Sequence, residues 1–195
     1  MKIFEDIWGM KKVYVEKILF AFSFALLLGL LSQIRIPLPF TPVPLTLQTL
    51  GVLIIGYYLG SKLGALTIML YLLLGASGIP FFSGVKGGLL VLSGPTGGYL
   101  FGFIAGAYLV GKAKELGYLT KLRNVFFIGL SAHFLIYFFG TLWFISGFHL
   151  MGWRETLKEI LTLTVFPFVI PDLFKTLLFV GFVASDNKLR GAIKK

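Results

Sequence analysis

Hydrophobic residues occur along this chain in long runs, and the charged residues, prolines and glycines are concentrated in the short stretches between them. An apolar run of about 20 residues forms a helix long enough to cross the hydrocarbon core of a bilayer. On this pattern we predict six spans, at roughly 18–34, 44–59, 63–79, 95–111, 125–147 and 165–184. The chain is therefore expected to form one all-α integral membrane domain over residues 1–195.

The second and third spans share one apolar stretch from Leu45 to Gly75, which allows either one overlong helix or two short ones. A single helix would be about 46 Å long, against a hydrocarbon core of roughly 30 Å. The residues Gly60-Ser61-Lys62 interrupt the middle of the stretch and favour two helices.

Lysine and arginine residues orient the predicted spans. If successive loops alternate between the two sides of the membrane, thirteen of the 18 basic residues share the side of both termini, and four lie opposite. This is the positive-inside bias, so both termini are predicted to be cytoplasmic, in a multi-pass protein of the cell (cytoplasmic) membrane. The net charge of +10 then reflects topology and does not indicate nucleic-acid binding.

Composition and motifs exclude several kinds of chemistry. Only 13% of the residues are charged and there is no cysteine, which excludes thiolate metal sites and iron–sulfur clusters. His133 and His149 have no acidic residue at ligand spacing, so no metal site is expected and both are interpreted as packing or interfacial residues. The stretch "GAYLVGKA" at 106–113 resembles a phosphate-binding loop but ends in alanine and follows no strand. We therefore predict no enzyme activity, no cofactor and an external source of energy.

Small residues recur every fourth position in two spans. Ala21, Ala25 and Gly29 form such a stripe in the first span, and glycines do the same over 98–106. Stripes of this kind let helices approach closely. We interpret the second stripe as internal packing, whereas spacing alone leaves the first open between packing and docking to a partner.

Two outer loops have unusual compositions. The stretch "RIPLPFTPVPL" at 35–45 has four prolines and is predicted to be extended. The loop between spans three and four, residues 78–98, is long, apolar and glycine-rich. Such a loop can line or cover a cavity, where non-helical backbone is tolerated at membrane depth, or it can be an ordinary packing loop.

The stretch "VIPDLFKT" at 169–176 places two charges inside the last span. Pro171 suits the first turn of a helix, which predicts a helix start near Ile170 with Asp172 in its first turn and Lys175 one turn later. Each charge at a helix centre costs about 2.5–3.5 kcal/mol on insertion scales, and ionisable residues inside spans are usually functional. We therefore favour a ligand site over a purely structural ion pair.

Four segments together resemble the BioY family, the substrate-binding (S) components of energy-coupling factor (ECF) biotin transporters. They are "TPVPLTLQTLGVLIIGYYLG" (41–60), "LGALTIMLYLLLGASGIPFFSG" (63–84), "GPTGGYLFGF" (94–103) and "PDLFK" (171–175). The resemblance covers nearly the whole chain and departs at Val85-Lys86, where the family often has glycine.

The resemblance implies a six-helix bundle that binds biotin from the outside. It further implies partners that supply energy, namely an ECF transmembrane coupling protein and two cytoplasmic ATPases, with the stripe Ala21, Ala25 and Gly29 as the docking surface. Asp172 accepts hydrogen bonds and suits a ureido N–H of biotin, whereas Lys175 donates and suits either the ureido carbonyl or the carboxylate. The other expected contacts are Gln48, Tyr99, Phe82 and the backbone of Gly84, Gly87 and Gly88.

Two alternatives remain open on the sequence. The chain can be a stand-alone secondary or facilitated transporter of a small carboxylate-bearing solute, with Asp172 as a proton relay. An intramembrane enzyme instead requires His133 or His149 close to Asp172.

Overall fold

The computed structural model describes the backbone of residues 2–150 and 156–193 and the side chains of residues 15–147 and 156–189. The side chain of His149 and most basic residues near the termini lie outside these ranges. The described part is predominantly helical, with a 3-10 turn at Tyr118–Thr120. The elements are α1 (Lys2–Gln33), β1 (Arg35–Ile36), β2 (Leu45–Thr46), α2 (Gln48–Ala76), α3 (Leu89–Ser93), α4 (Gly97–Glu115), α5 (Leu122–Leu150), α6 (Leu157–Thr164) and α7 (Phe166–Ile193).

Within the described residues, four helical stretches are long and apolar enough to cross a membrane. They are Val15–Gln33, Gln48–Ala76, Leu122–Gly147 and Leu157–Leu189. A further helix, α4, begins and ends close to the predicted fourth span. A multi-pass membrane protein is therefore supported, and the count of six spans, the single domain and the orientation of the termini stay predictions.

Helix α2 contains the interruption that the sequence predicts. Gly60 has non-helical backbone angles, φ 78° and ψ −177°, a left-handed φ that suits glycine. The helix is thereby divided into two arms, 48–59 and 61–76. Glu115 at the end of α4 caps the second arm, because its carboxylate accepts hydrogen bonds from the Ser61 backbone N–H at 2.7 Å and the Ser61 hydroxyl at 2.8 Å.

The proline-rich stretch is non-helical, as predicted, and is closed into a hairpin. Strands β1 and β2 pair antiparallel, with Arg35 opposite Thr46. The connection contains four prolines, none of which can donate a ladder hydrogen bond. The hairpin therefore consists of one short ladder and a stiff loop, which leaves the proline side chains free to line a neighbouring space.

The apolar loop from 77 to 96 is fastened to the end of α1. Ser32 donates its hydroxyl to the Phe81 carbonyl at 2.6 Å, and the Gln33 amide group donates to the Phe82 carbonyl at 3.2 Å. Gln33 also accepts a hydrogen bond from the Val85 backbone N–H at 2.9 Å. Val85 has φ 58°, a left-handed conformation that is unfavourable for a β-branched residue.

The stripe of small residues in α1 is buried within this chain, and its assignment as a docking surface stays a prediction. Ala21 is 8% exposed and Ala25 is 0% exposed. A Cβ atom added to Gly29 would lie 3.1 Å from the Phe81 ring. The small side chains instead let α1 pack closely against the rest of this chain, so in this conformation the stripe is not accessible to a partner.

Replacing Ala25 by leucine tests whether the stripe serves internal packing or docking. We expect Ala25→Leu to destabilise the isolated protein by about 1–3 kcal/mol, because extra methyl groups cannot fit into a packed core. Thermal unfolding of the purified protein in detergent measures the effect, and Ser23→Leu, at an exposed position of the same helix, is the matched control. Unchanged unfolding of Ala25→Leu together with lost assembly with a coupling protein would support the docking assignment instead.

A second prediction concerns the cap at the break in α2. The backbone and side-chain hydrogen bonds from Ser61 hold the pKa of Glu115 below its usual value of 4.5. A lowered pKa means that the cap contributes stability fully above the usual carboxyl pKa, and that this contribution is lost as the pH falls through the lowered value.

We expect Glu115→Gln to lower the unfolding temperature at neutral pH, and the difference from the unsubstituted protein to shrink in acid. Thermal unfolding between about pH 3 and 7 measures this. Lys112→Gln is the control, because it removes only the exposed ion pair at 3.8 Å. A difference that does not change with pH would show that the Glu115 carboxylate is not responsible.

Candidate ligand-binding site

A cavity of about 370 Å³ lies between the hairpin, the 77–96 loop and the helices α2, α4, α5 and α7. This volume is within the range of small-molecule sites. Most of its wall is apolar, and the principal apolar residues are Leu38, Val43, Phe82, Leu100, Ile136 and Phe168. The glycine-rich loop thus covers a cavity, which was one of the two alternatives that its composition allowed.

Asp172 and Lys175 lie together on one wall of this cavity. The two side chains are buried, with 3% and 7% of the residue exposed, and the Lys175 ammonium is 2.6 Å from Asp172 Oδ1. Thr49 donates its hydroxyl to the same carboxylate oxygen at 3.0 Å, and Tyr137 donates to the other. Since Thr49 is in the first turn of α2, the positive end of that helix dipole also stabilises the carboxylate.

The start of the last helix differs from the sequence prediction. Helix α7 begins at Phe166 and not near Ile170, so Pro167 is the proline of the first turn and Pro171 is inside the helix. Proline is tolerated near a helix start because the N–H groups there have no intrahelical acceptor. Two prolines, Pro167 and Pro171, lie near the helix start in the sequence, and in the structure Pro167 is the one in the first turn. Asp172 consequently lies in the second turn.

Gln48 and Tyr99 also line the cavity, but their polar atoms already have protein partners. The Gln48 amide group donates to the Tyr71 hydroxyl at 2.8 Å, and Tyr71 in turn donates to the Phe81 carbonyl at 3.2 Å. The Tyr99 hydroxyl donates to the Thr164 carbonyl at 2.6 Å. These bonds connect the cavity wall to the covering loop and to the end of α6.

Phe82 lies in the cavity wall, whereas the three glycines predicted to contact a ligand, Gly84, Gly87 and Gly88, do not. Gly84 and Gly88 have left-handed φ angles of 82° and 96°. A Cβ atom at Gly87 would lie 2.6 Å from the Gly78 and Ile79 carbonyl oxygens. These glycines therefore shape the loop and allow its close packing, and their expected contact with a ligand is not supported.

Sequence reasoning missed several polar residues of the cavity wall, among them four that bear on its chemistry. Thr49 and Tyr137 carry no charge and sit in apolar spans, so nothing in the pattern separates them from packing residues. Arg35 and Lys86 were recognised only as basic residues of the outer loops, and both line the cavity. Neither forms an ion pair with any of the described residues, so the hairpin and loop supply two uncompensated positive charges.

His133 lies directly behind the carboxylate and is 2% exposed. Its Nε2 atom is 3.8 Å from Asp172 Oδ1, and its Nδ1 atom is 2.9 Å from the Gly129 carbonyl oxygen. The sequence suggested a packing or interfacial role, and it gave no indication of this proximity. Among the described residues, no cluster of histidine, aspartate and glutamate is suited to a metal ion.

Comparison with known proteins places these features in a family. The curated protein named "Biotin transporter BioY" from Thermotoga maritima is 39% identical over 156 residues, which cover 79% of this chain and 86% of that protein. "Biotin transporter BioY2" from Lactococcus lactis subsp. cremoris is 36% identical over 159 residues, covering 81% and 82%.

A solved structure has the same fold. The crystal structure of the S-component for biotin from an ECF-type ABC transporter superimposes with a TM-score of 0.77 and 25% identity, over 91% of this chain and 93% of the other. The model of the BioY family matches residues 8–192. With nearly its whole length matched in sequence and in fold, the chain belongs to the BioY family.

Proposed function

We propose that this chain is the biotin-binding S component of an ECF-type transporter and mediates biotin uptake together with an energising module. Its relatives are named as transporters, which places it outside the enzymes. The observation that carries the proposal is the cavity, because a buried donor and acceptor pair lies beside apolar walls in a space of about 370 Å³. Biotin combines a ureido group, an apolar thioether ring and a carboxylate, and the cavity offers a partner for each.

The Asp172–Lys175 pair suits the ureido group. The carboxylate has about four lone-pair sites, and Lys175, Thr49 and Tyr137 occupy three of them. Lys175 has three protons, of which Asp172 and Thr49 take two. One acceptor and one donor therefore remain side by side, the arrangement that the N–H and C=O groups of a urea require.

We assign the biotin carboxylate to the two basic residues on the hairpin and the loop, Arg35 and Lys86, and not to the Asp172–Lys175 pair. A carboxylate next to Lys175 would also face the anionic Asp172, which already neutralises that lysine at 2.6 Å. Arg35 and Lys86 line the same cavity and have no acidic partner among the described residues. An arginine can bind a carboxylate through two parallel hydrogen bonds. The ureido carbonyl is thus the partner we propose for Lys175.

The energy for uptake comes from partners in this proposal. The chain has no complete nucleotide-binding motif, and the solved relative is a component of an ABC transporter. A transmembrane coupling protein and two cytoplasmic ATPases are the partners we propose, in the cell membrane and with both termini cytoplasmic. The hairpin and the 77–96 loop then face outward, so biotin enters from that side.

Binding by single-site variants tests the proposal. We expect Asp172→Asn and Lys175→Met each to weaken biotin binding by about tenfold to a hundredfold, because each leaves a buried hydrogen-bonding group unpaired. Calorimetry on the purified protein, after bound biotin has been removed, measures the dissociation constants. Lys112→Met at an exposed position is the matched control.

The double variant Asp172→Leu with Lys175→Met separates a ligand site from a structural ion pair. Unchanged biotin affinity in the double variant would show that the pair is only structural. Absence of any biotin binding by the unsubstituted protein would contradict the proposed function as a whole.

Biotin methyl ester tests the orientation. We expect the ester to bind about tenfold more weakly than biotin to the unsubstituted protein, because it loses a charge-assisted hydrogen bond. Arg35→Gln should reduce this difference, and Lys175→Met should leave it intact, since the two residues contact opposite ends of the ligand. The reverse result, with the difference abolished only by Lys175→Met, would place the carboxylate at Lys175.

A further inference from the structure

The hydrogen bonds of His133 determine where its proton lies. Nδ1 is 2.9 Å from the Gly129 carbonyl oxygen, which can only accept, so Nδ1 carries the hydrogen. The Thr176 hydroxyl is 3.2 Å from the same nitrogen and donates its own proton to the Asp172 backbone carbonyl at 2.8 Å. Thr176 can therefore only accept from Nδ1, in agreement with the first assignment.

The other ring nitrogen is then an acceptor without a donor. Among the described side chains, His133 Nε2 and Ser83 Oγ are the buried nitrogen and oxygen atoms that lack a hydrogen-bond partner. Nε2 faces Asp172 Oδ1 at 3.8 Å, and a carboxylate is also an acceptor. The Nε2 and Oδ1 atoms therefore repel each other in a buried site. A proton on Nε2 would replace this repulsion by an attraction.

Lys175 determines how strongly His133 Nε2 and Asp172 Oδ1 repel each other. The charged and titratable groups around the ring are Asp172 and Lys175 from α7 and Tyr137 from α5, with Tyr99 of α4 beyond Tyr137. Helix α2 contributes the uncharged Thr49. In the ligand-free arrangement the Lys175 ammonium is 2.6 Å from Oδ1 and compensates the carboxylate, so a neutral His133 is tolerated.

We infer that ligand binding is coupled to protonation of His133. This inference rests on the proposed function, in which Lys175 donates to the ureido carbonyl of biotin, and it adds that the ammonium shifts away from Asp172 to do so. When Lys175 donates to the ligand, the Asp172 carboxylate loses part of the positive charge that compensates it. His133 Nε2 then takes up a proton from the solvent. His133 is thus a positioning residue, because its new charge holds the Asp172 carboxylate in place for the ureido N–H.

Proton uptake and the pH dependence of affinity test the inference together. Calorimetry of biotin binding in two buffers of different ionisation enthalpy at about pH 7 should report uptake of a fraction of a proton, at most one. By linkage, biotin affinity should rise as the pH falls from about 8.5 to 5.5, by no more than about tenfold per pH unit. His133→Phe should bind biotin with no uptake and with an affinity that is flat over this range.

Two further variants show whether the effect belongs to this ring. His149→Phe removes the other histidine of the chain and should leave the proton uptake unchanged. Thr176→Val removes one hydrogen-bond acceptor of Nδ1 but keeps the titrating ring. Proton uptake on biotin binding should therefore also persist in this variant. If His133→Phe does not fold, His133→Gln replaces it, since the amide can donate to the Gly129 carbonyl and does not titrate.

The outcomes distinguish this inference from the proposed function. Normal biotin binding by the unsubstituted protein without proton uptake would overturn the inference and leave the proposed function standing. Proton uptake that persists in the His133 variant would also overturn it. Absence of biotin binding would overturn the proposed function, and the inference with it.

Discussion

One buried carboxylate, that of Asp172, connects the parts of this structure on which function depends. It accepts hydrogen bonds from Thr49 of α2, Tyr137 of α5 and Lys175 of its own helix. An ionised group inside a membrane domain is costly unless it is paired and hydrogen-bonded. The three donors meet this requirement and at the same time fix the helices that surround the cavity. The residue that we propose to recognise a polar ligand thus also holds together the helices around the cavity.

Sequence reasoning was most successful where a physical constraint acts locally. The overlong apolar stretch is interrupted at Gly60-Ser61-Lys62 as predicted, and Gly60 has a left-handed φ that glycine adopts without strain. The prolines exclude helix over 35–45, and Asp172 with Lys175 identifies one cavity wall. Each of these predictions depends on a few neighbouring residues and on the cost of charge or irregular backbone in lipid.

Sequence reasoning could not show which neighbour a residue meets, because no local pattern contains that information. Ala25 has the spacing of a close helix contact, and the contact is made inside the chain. Two carbonyl groups lie against Gly87 and leave no room for a side chain. Tyr137 and Thr49 are ordinary span residues until α5 and α2 bring them to the same carboxylate. These contacts join residues far apart in the chain, so they become visible only in three dimensions.

Val85 has a consequence for how this loop can vary in evolution. A left-handed backbone costs an ordinary residue about 1–2 kcal/mol, whereas glycine loses about 0.5–1 kcal/mol more entropy on folding. The strain exceeds the entropy, so a change to glycine is a step toward higher stability. The residue contributes its backbone N–H to Gln33, and glycine retains that group. A Val85→Gly exchange therefore raises the stability of the protein while the hydrogen bond that attaches the loop to Gln33 is kept.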